Sequence, residues 1–272
     1  MNTLLALTVI LSSCIIVPVE QPRTTTLIEK LSAHNLFSQT IRFKVGLLVS
    51  PGANSVGTGT VVSEVKTDSG WEYVVITAAH VMNMPGGTST IKVEVDRRDR
   101  KGWIVETIST DITSSHVLRA SDLYDIAVIK FLTTARLPVT TARIANFKEM
   151  ADATPGSQIY AVGCSFGHPA LIHVGTISSK IRDPRAPISS WIVASINWDG
   201  GSSGGGVYNT DLGLIGVISA EQGSGVGTYV PLSTPFFDED GATTFLEVLQ
   251  SMLGLSLSPL KVEPKHNEPT KL

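Results

Sequence analysis

Tyr73-Val74-Val75-Ile76-Thr77-Ala78-Ala79-His80 is the stretch from which the rest of the chain can be read. Its unbroken apolar run, rich in β-branched residues and too short for a helix, fits a strand buried on both faces. Two alanines then let the backbone turn tightly and present the imidazole of His80 at the strand end. Taken alone, a histidine so placed is most often structural.

Similar runs lie on either side. Ile41 to Val49 and Gly59-Thr60-Val61-Val62 flank a turn cluster around Pro51, Gly52 and Asn54. Ile126 to Ile129, Gln158 to Val162, Trp191 to Ala194 and Leu214 to Ile218 follow, each bounded by glycine, proline or polar residues. Short strands at this spacing, without amphipathic helices between them, indicate an all-β sandwich or barrel. Twenty-four glycines, fourteen prolines and 6% aromatics agree with many turns. A helix-like stretch is expected around 27–36. A second helix starts late, where Thr244 and Glu247 form a capping-box pattern ahead of Phe245, Leu246, Leu249, Met252 and Leu253, and Gly254 stands as C-cap. Residues 255–272 have little to bury and read as a flexible tail.

The chain has 272 residues and a formal net charge of -3, which gives no electrostatic case for a nucleic-acid partner or an anionic membrane surface. The charge run Asp96 to Lys101 sits between apolar segments and reads as a solvated hairpin loop. Residues 3–19 form an uncharged, mostly apolar run, short for a membrane span and suited to an export signal. Within it, Leu11-Ser12-Ser13-Cys14 resembles the lipobox of bacterial lipoprotein signals, although no Lys or Arg precedes the run. The expectation is export to the cell envelope or periplasm with lipid attached at Cys14. An ordinary signal peptide, an uncleaved anchor and a buried strand rank after it. Cys164 then has no intrachain partner, so the fold must hold without disulfides.

Two further segments carry chemistry. In Asp122-Leu123-Tyr124-Asp125-Ile126-Ala127-Val128-Ile129 an acid immediately precedes a buried strand, where it needs a compensating partner such as an imidazole N–H. A strand-initiating turn aspartate is the plain alternative, and Asp122 is the competing acid. In Asp199-Gly200-Gly201-Ser202-Ser203-Gly204-Gly205-Gly206, five glycines surround two serines. This is either a plain flexible loop or a tight turn whose amides converge beside a serine hydroxyl. A phosphate loop is disfavoured, since no Gly-Lys-Ser/Thr and no helix follow. An α/β-hydrolase elbow would need a later histidine, and only His266 in the tail qualifies. Cys164 lies outside the glycine turn, which argues against a cysteine peptidase.

Taken in order, Thr77-Ala78-Ala79-His80, Asp125-Ile126-Ala127-Val128 and Gly201-Ser202-Ser203-Gly204-Gly205 resemble the three motif blocks of trypsin-like serine proteases, and most of all the bacterial HtrA/Deg-type branch. Gly57-Thr58-Gly59-Thr60, Gly163-Cys164-Ser165-Phe166-Gly167, Val174-Gly175-Thr176-Ile177-Ser178 and Gly227-Thr228-Tyr229 extend the match over roughly residues 40–235. The resemblance implies two six-stranded antiparallel Greek-key barrels packed perpendicular, followed by the C-terminal α-helix. In that arrangement residues 1–14 are signal, 15–36 linker and short helix, 37–150 the first barrel, 151–240 the second, 241–254 the helix and 255–272 the tail. His80, Asp125 and Ser203 would form a catalytic triad, the N–H groups of Gly201 and Ser203 an oxyanion hole, and Ser219 a support for the acid.

The same resemblance puts the floor of the primary specificity pocket at Asn197, with walls near Ser219, Ala220, Glu221 and Gly227. Small or medium apolar substrate side chains are expected there. Substrates would be proteins or peptides, and neither a metal nor a cofactor is expected. Where relatives that mature by cleavage carry an aspartate before the nucleophile, this chain has Ser202, so no such activation is expected. Gly206 replaces a proline and implies a looser turn. The 69 residues after Ser203 leave no room for a PDZ domain, so regulated oligomeric proteolysis is not expected. The reading from a different class is a catalytically silent homologue that binds peptides or proteins in the same cleft.

Overall fold

The computed structural model describes residues 33–47, 54–82, 88–112, 117–121, 124–183, 186–221, 225–233, 235–238 and 241–253. The signal, Cys14, the competing acid Asp122, Gly254 and the tail lie outside the described residues.

The chain enters through a short helix α1 (Ala33–Ser38) and then builds an antiparallel sheet. Its strands are β1 (Thr40–Leu47), β2 (Asn54–Thr67), β3 (Gly70–Thr77), β4 (Thr88–Arg98), β5 (Ile104–Ile112), β6 (Val117–Ser121) and β7 (Ile126–Thr133). The one-turn helix α2 (Ala79–Met82) leaves the end of β3. The order across the sheet is β5-β4-β1-β2-β3-β7-β6. Seven strands stand where six are expected because β5 pairs with β4 while β6 pairs with β7, at the opposite edge. Only residues 113–116 separate those two edge strands in the chain.

A helix α3 (Phe147–Asp152), closed by a capping box between Asn146 and Glu149, leads into the second unit. There β8 (Gln158–Gly163), β9 (Leu171–Asp183), β10 (Ala186–Ser195), β11 (Gly206–Tyr208), β12 (Leu214–Glu221) and β13 (Val226–Pro231) close into a barrel in the order β10-β13-β12-β11-β8-β9. A hairpin of β14 (Pro235–Asp238) and β15 (Gly241–Thr244) precedes the last helix α4 (Phe245–Met252). Thr244 caps that helix through the expected box with Glu247, and Phe245, Leu246 and Leu249 enter the second core.

The unbroken apolar run of β3 has a specific cause. Tyr73 and Val75 fill the core of the first sheet, together with Ala127, Ile129 and Phe131 of β7. Their neighbours Val74 and Ile76, with Ile126 and Val128, face the other way and join the core of the second barrel. One face of this strand pair therefore builds its own unit, and the other glues the two units together. On β2 the adjacent Val61 and Val62 divide between the same two cores, at a register shift against β3 between Val61 and Ser63.

Only the second half of the charge run, Asp99 to Lys101, lies in the turn between β4 and β5, where the Asp99 carboxylate accepts the N–H groups of Lys101 and Trp103. Asp96, Arg97 and Arg98 end β4, and Asp96 and Arg98 are half-buried rather than solvated. The apolar run that follows it is not buried: Trp103 is 72% exposed, and Ile104 and Val105 are also exposed.

Replacing Ile76 with alanine removes contacts on the shared face and is expected to cost about 2–5 kcal/mol. Val65→Ala, at a half-exposed site on β2, is expected to stay within about 0.5 kcal/mol. Chemical denaturation of both variants measures the difference.

Candidate active site

His80 sits in α2, directly after β3, with Ala78 and Ala79 fully buried beneath the turn. Any larger side chain at those positions would push the imidazole off the strand end. The ring itself is 47% exposed. Asp125 opens β7, the strand paired with β3, so strand register brings acid and base together. Its backbone is left-handed (φ 49°), a conformation a non-glycine residue holds at a cost of about 1–3 kcal/mol. One carboxylate oxygen accepts the backbone N–H of His80 at 3.0 Å, and both oxygens lie 2.9 and 3.0 Å from Nδ1. A carboxylate can only accept, so Nδ1 carries the proton and Nε2 is left as the basic nitrogen. The Ser219 hydroxyl donates to the other side of the carboxylate.

Ser203 lies across this group on the turn before β11. Its hydroxyl donates to the carbonyl oxygen of Ser219 at 3.1 Å. No hydrogen bond among the described residues joins it to His80 Nε2. Ser219 is thus the common partner: its carbonyl holds the Ser203 hydroxyl and its side chain holds Asp125.

The turn around Ser203 is tightly specified. Gly201 (φ 92°) and Gly204 (φ 88°) are both in conformations that disfavour side chains. A Cβ on Gly204 would also lie 2.0 Å from the Thr58 carbonyl oxygen and 2.1 Å from Thr77 Oγ1. The amides of Ser202, Gly204 and Gly205 donate to Asp199, Ile218 and Ser202. Those of Gly201 and Ser203 donate to nothing among the described residues. These are the two amides expected to face an oxyanion.

Gly206 does not loosen the turn. It is buried within β11, paired with Val162 and Val217, and a Cβ there would lie 2.7 Å from the Tyr208 ring. The side chain of Ser202 is buried and hydrogen-bonds the Ser165 hydroxyl at 2.9 Å. Ser165-Phe166-Gly167 forms a 3-10 turn in which Phe166 is left-handed (φ 52°) and 70% exposed. Ser165 and Phe166 belong to a block that extends the family resemblance, but nothing in that block shows that they hold the serine turn. Beside this turn, burial pushes the Cys164 thiol up to about 11, with the Arg42 guanidinium and Thr58 only partly offsetting it.

Asn197, the expected pocket floor, is exposed to solvent with its carboxamide beside Gly225. Alternate residues of this segment turn inward, so Ala194, Ile196 and Trp198 are buried. Trp198 is 1% exposed, and its indole lies where a Cβ on Gly227 would come within 2.3 Å. Ala220 and Glu221 pair with Thr228 and Gly227 as backbone of β12 and β13.

A family model for the trypsin-like peptidase domain matches residues 57–217, which span all three motif blocks. The chain belongs to the trypsin-like peptidase family. Among solved structures it is similar to the HtrA-type protease AlgW with a tripeptide, at 19% identity and a TM-score of 0.57, over 85% of this chain and 64% of that one. It is also similar to Deg5, at 21% identity and a TM-score of 0.56, over 78% of this chain and 90% of that one. The chain spans just under two thirds of the AlgW chain. No curated protein matches it. Likeness at this identity speaks to the fold alone, and the fold agrees with the trypsin-like family that the motif order points to.

Within this trypsin-like frame, the raised pKa of Cys164 makes its thiol inert in the folded protein. In a Cys14→Ser chain at pH 8, a disulfide reagent is expected to titrate one thiol only after denaturation. Rapid reaction of native protein would contradict the buried placement.

Proposed function

We propose that the chain is an exported serine endopeptidase that cleaves peptide bonds through an acyl-enzyme on Ser203. The observation that carries this reading is the doubly held His80: Asp125 grips both its backbone N–H and its Nδ1, leaving Nε2 as the base. A rotation about the Cα–Cβ bond of Ser203 would move its hydroxyl from the Ser219 carbonyl toward Nε2. Nε2 then takes the hydroxyl proton as Oγ bonds to the substrate carbonyl carbon. The carbonyl oxygen becomes an oxyanion held by the Gly201 and Ser203 amides, each worth roughly 2.7–4 kcal/mol. The C–N bond breaks as His80 returns the proton to the leaving amine, and water repeats the sequence on the acyl-enzyme. Asp125 fixes the tautomer and stabilises the imidazolium.

Secretion through the apolar run at residues 3–19, with lipid on Cys14, belongs to the same proposal. Finding a mature N-terminus other than Cys14 in protein from its native host would remove the lipid anchor but leave the peptidase reading intact.

One observation favours a second reading, in which the cleft binds peptides without cleaving them: the Ser203 hydroxyl is engaged by Ser219 rather than by His80. A fluorophosphonate probe separates the two. The expected result is covalent labelling of the full chain that disappears in Ser203→Ala. A well-folded wild type that stays unlabelled would establish the binding module instead.

The buried Trp198 indole packs against Gly227, an expected wall of the primary pocket, and this contact supports a preference for small side chains on the acyl side. Cleavage after small residues such as alanine or glycine is therefore expected in a peptide-library profile. Trp198→Val should raise the relative rate at leucine or phenylalanine by roughly tenfold. A wild-type profile dominated by arginine, lysine or large aromatics would contradict this assignment.

A further inference from the structure

The oxyanion hole invoked above needs two peptide planes, 200–201 and 202–203, which carry the Gly201 and Ser203 amides, to hold one orientation. In a trans peptide the C=O and N–H point in opposite directions, so fixing each carbonyl fixes the adjoining amide. The Gly200 carbonyl accepts the N–H of Phe166 at 2.6 Å, which turns the Gly201 N–H the other way. The Gly201 carbonyl accepts the Thr58 hydroxyl at 2.7 Å. The Ser202 carbonyl accepts the N–H of Gly205 at 2.9 Å. The plane held by Thr58, 201–202, is thus the link between the two that carry the oxyanion amides. If either of those flipped, a carbonyl oxygen would occupy the space meant for the negative charge.

Thr58 is fully buried and belongs to β2 of the first sheet, yet its contacts lie mostly in the second barrel. Besides donating to Gly201, its hydroxyl accepts the N–H of Cys164 at 2.8 Å. Its backbone N–H donates to the Ser203 carbonyl at 2.7 Å, and its own carbonyl accepts the Thr77 hydroxyl at 2.6 Å. One residue thereby ties the strand that presents His80, the nucleophile and the oxyanion turn. The hydroxyl is satisfied in both roles, as acceptor and donor, so its direction is fixed.

We propose that Thr58 is a positioning residue whose side-chain hydroxyl, reaching from the first sheet to the turn of the second barrel, holds the Gly201 carbonyl and with it the peptide that joins the two oxyanion amides in the productive orientation. This inference rests on the serine-peptidase reading. Thr58 touches neither substrate nor the reacting atoms. Its loss should therefore appear in the chemical step, where the oxyanion forms, and leave ground-state peptide binding nearly unchanged.

The test compares wild type, Thr58→Val, Thr58→Ala and Thr58→Ser full-length chains on a peptide substrate with a small residue before the scissile bond. The measured quantities are kcat, KM, the inhibition constant of a matching peptide aldehyde, and the melting temperature. Thr58→Val and Thr58→Ala are expected to lower kcat by about tenfold to a hundredfold, less than outright removal of an oxyanion donor, with KM within about threefold. The aldehyde, whose adduct places an oxyanion in the hole, should weaken in parallel. Thr58→Ser, which keeps the hydroxyl, should restore both. An unchanged kcat in Thr58→Ala, a loss confined to KM, or a Thr58→Ser chain as impaired as Thr58→Ala at wild-type melting temperature would each overturn the proposal. Absence of turnover and probe labelling in wild type would instead remove the peptidase reading beneath it.

Discussion

A strand that buries both faces can neither slip in register nor tilt without exposing one of two cores, and β3 and β7 are both in that position. Slipping by one residue would exchange Tyr73 and Val75 for Val74 and Ile76 and place each set in the wrong core. The ends of these strands are consequently among the most firmly placed points of the molecule. His80 leaves one of them and Asp125 begins the other, so the geometry of base and acid follows from packing far below the surface. The left-handed backbone at Asp125 is affordable because the surrounding strands over-determine it.

The two units also meet through charge. Arg42 on β1 is buried, and its guanidinium donates to Glu94 at 2.8 Å, to Asp96 at 3.2 Å and to the His168 carbonyl of the second unit at 3.2 Å. Burial works against its charge, but the two carboxylates more than offset that and raise its pKa. Arg98 also reaches the second unit, stacking over Phe37 and donating to the Ala170 carbonyl at 3.3 Å, but without a carboxylate in direct contact among the described residues, and burial lowers its pKa. Buried pairs such as those of Arg42 are weak sources of net stability. Their directionality fixes how the 164–170 segment sits against the first sheet, and that segment carries the Ser165 and Phe166 contacts of the oxyanion turn.

Much of this could be read from side-chain pattern alone. Continuous apolar runs marked β3 and β7 as two-faced strands, and the order of the three motif blocks placed them in one cleft. The capping box at Thr244 located the last helix correctly. What escaped depends on which way a residue points. Asn197 and Trp198 are neighbours, and only the inward alternation set by β10 puts the indole on Gly227 and leaves the carboxamide in solvent. Gly206 looked like a flexible substitute for proline. It is in fact the space that the Tyr208 ring fills. Thr58 stood out only as part of the Gly57-Thr58-Gly59-Thr60 block that extends the family resemblance. A hydroxyl that bonds across 143 positions of sequence leaves no local signature.

The nucleophile turn is held by an unusual economy of means. Relatives that mature by cleavage orient this turn with an aspartate that must find a new amine, a buried pair whose desolvation costs several kcal/mol per ion before attraction repays it. Here the corresponding side chain is Ser202, hydrogen-bonded to Ser165. Two neutral hydroxyls in a buried site carry no Born penalty, and the pair is complete within a single folded chain. The Thr58 hydroxyl and the Phe166 amide hold the two carbonyls that remain. Each such bond contributes only about 0.5–1.5 kcal/mol, less than an ion pair can in good geometry. Their advantage is that none of these bonds needs a free terminus or a change of charge, so among the described residues the order of the turn is coupled to the docking of the first sheet on the second barrel.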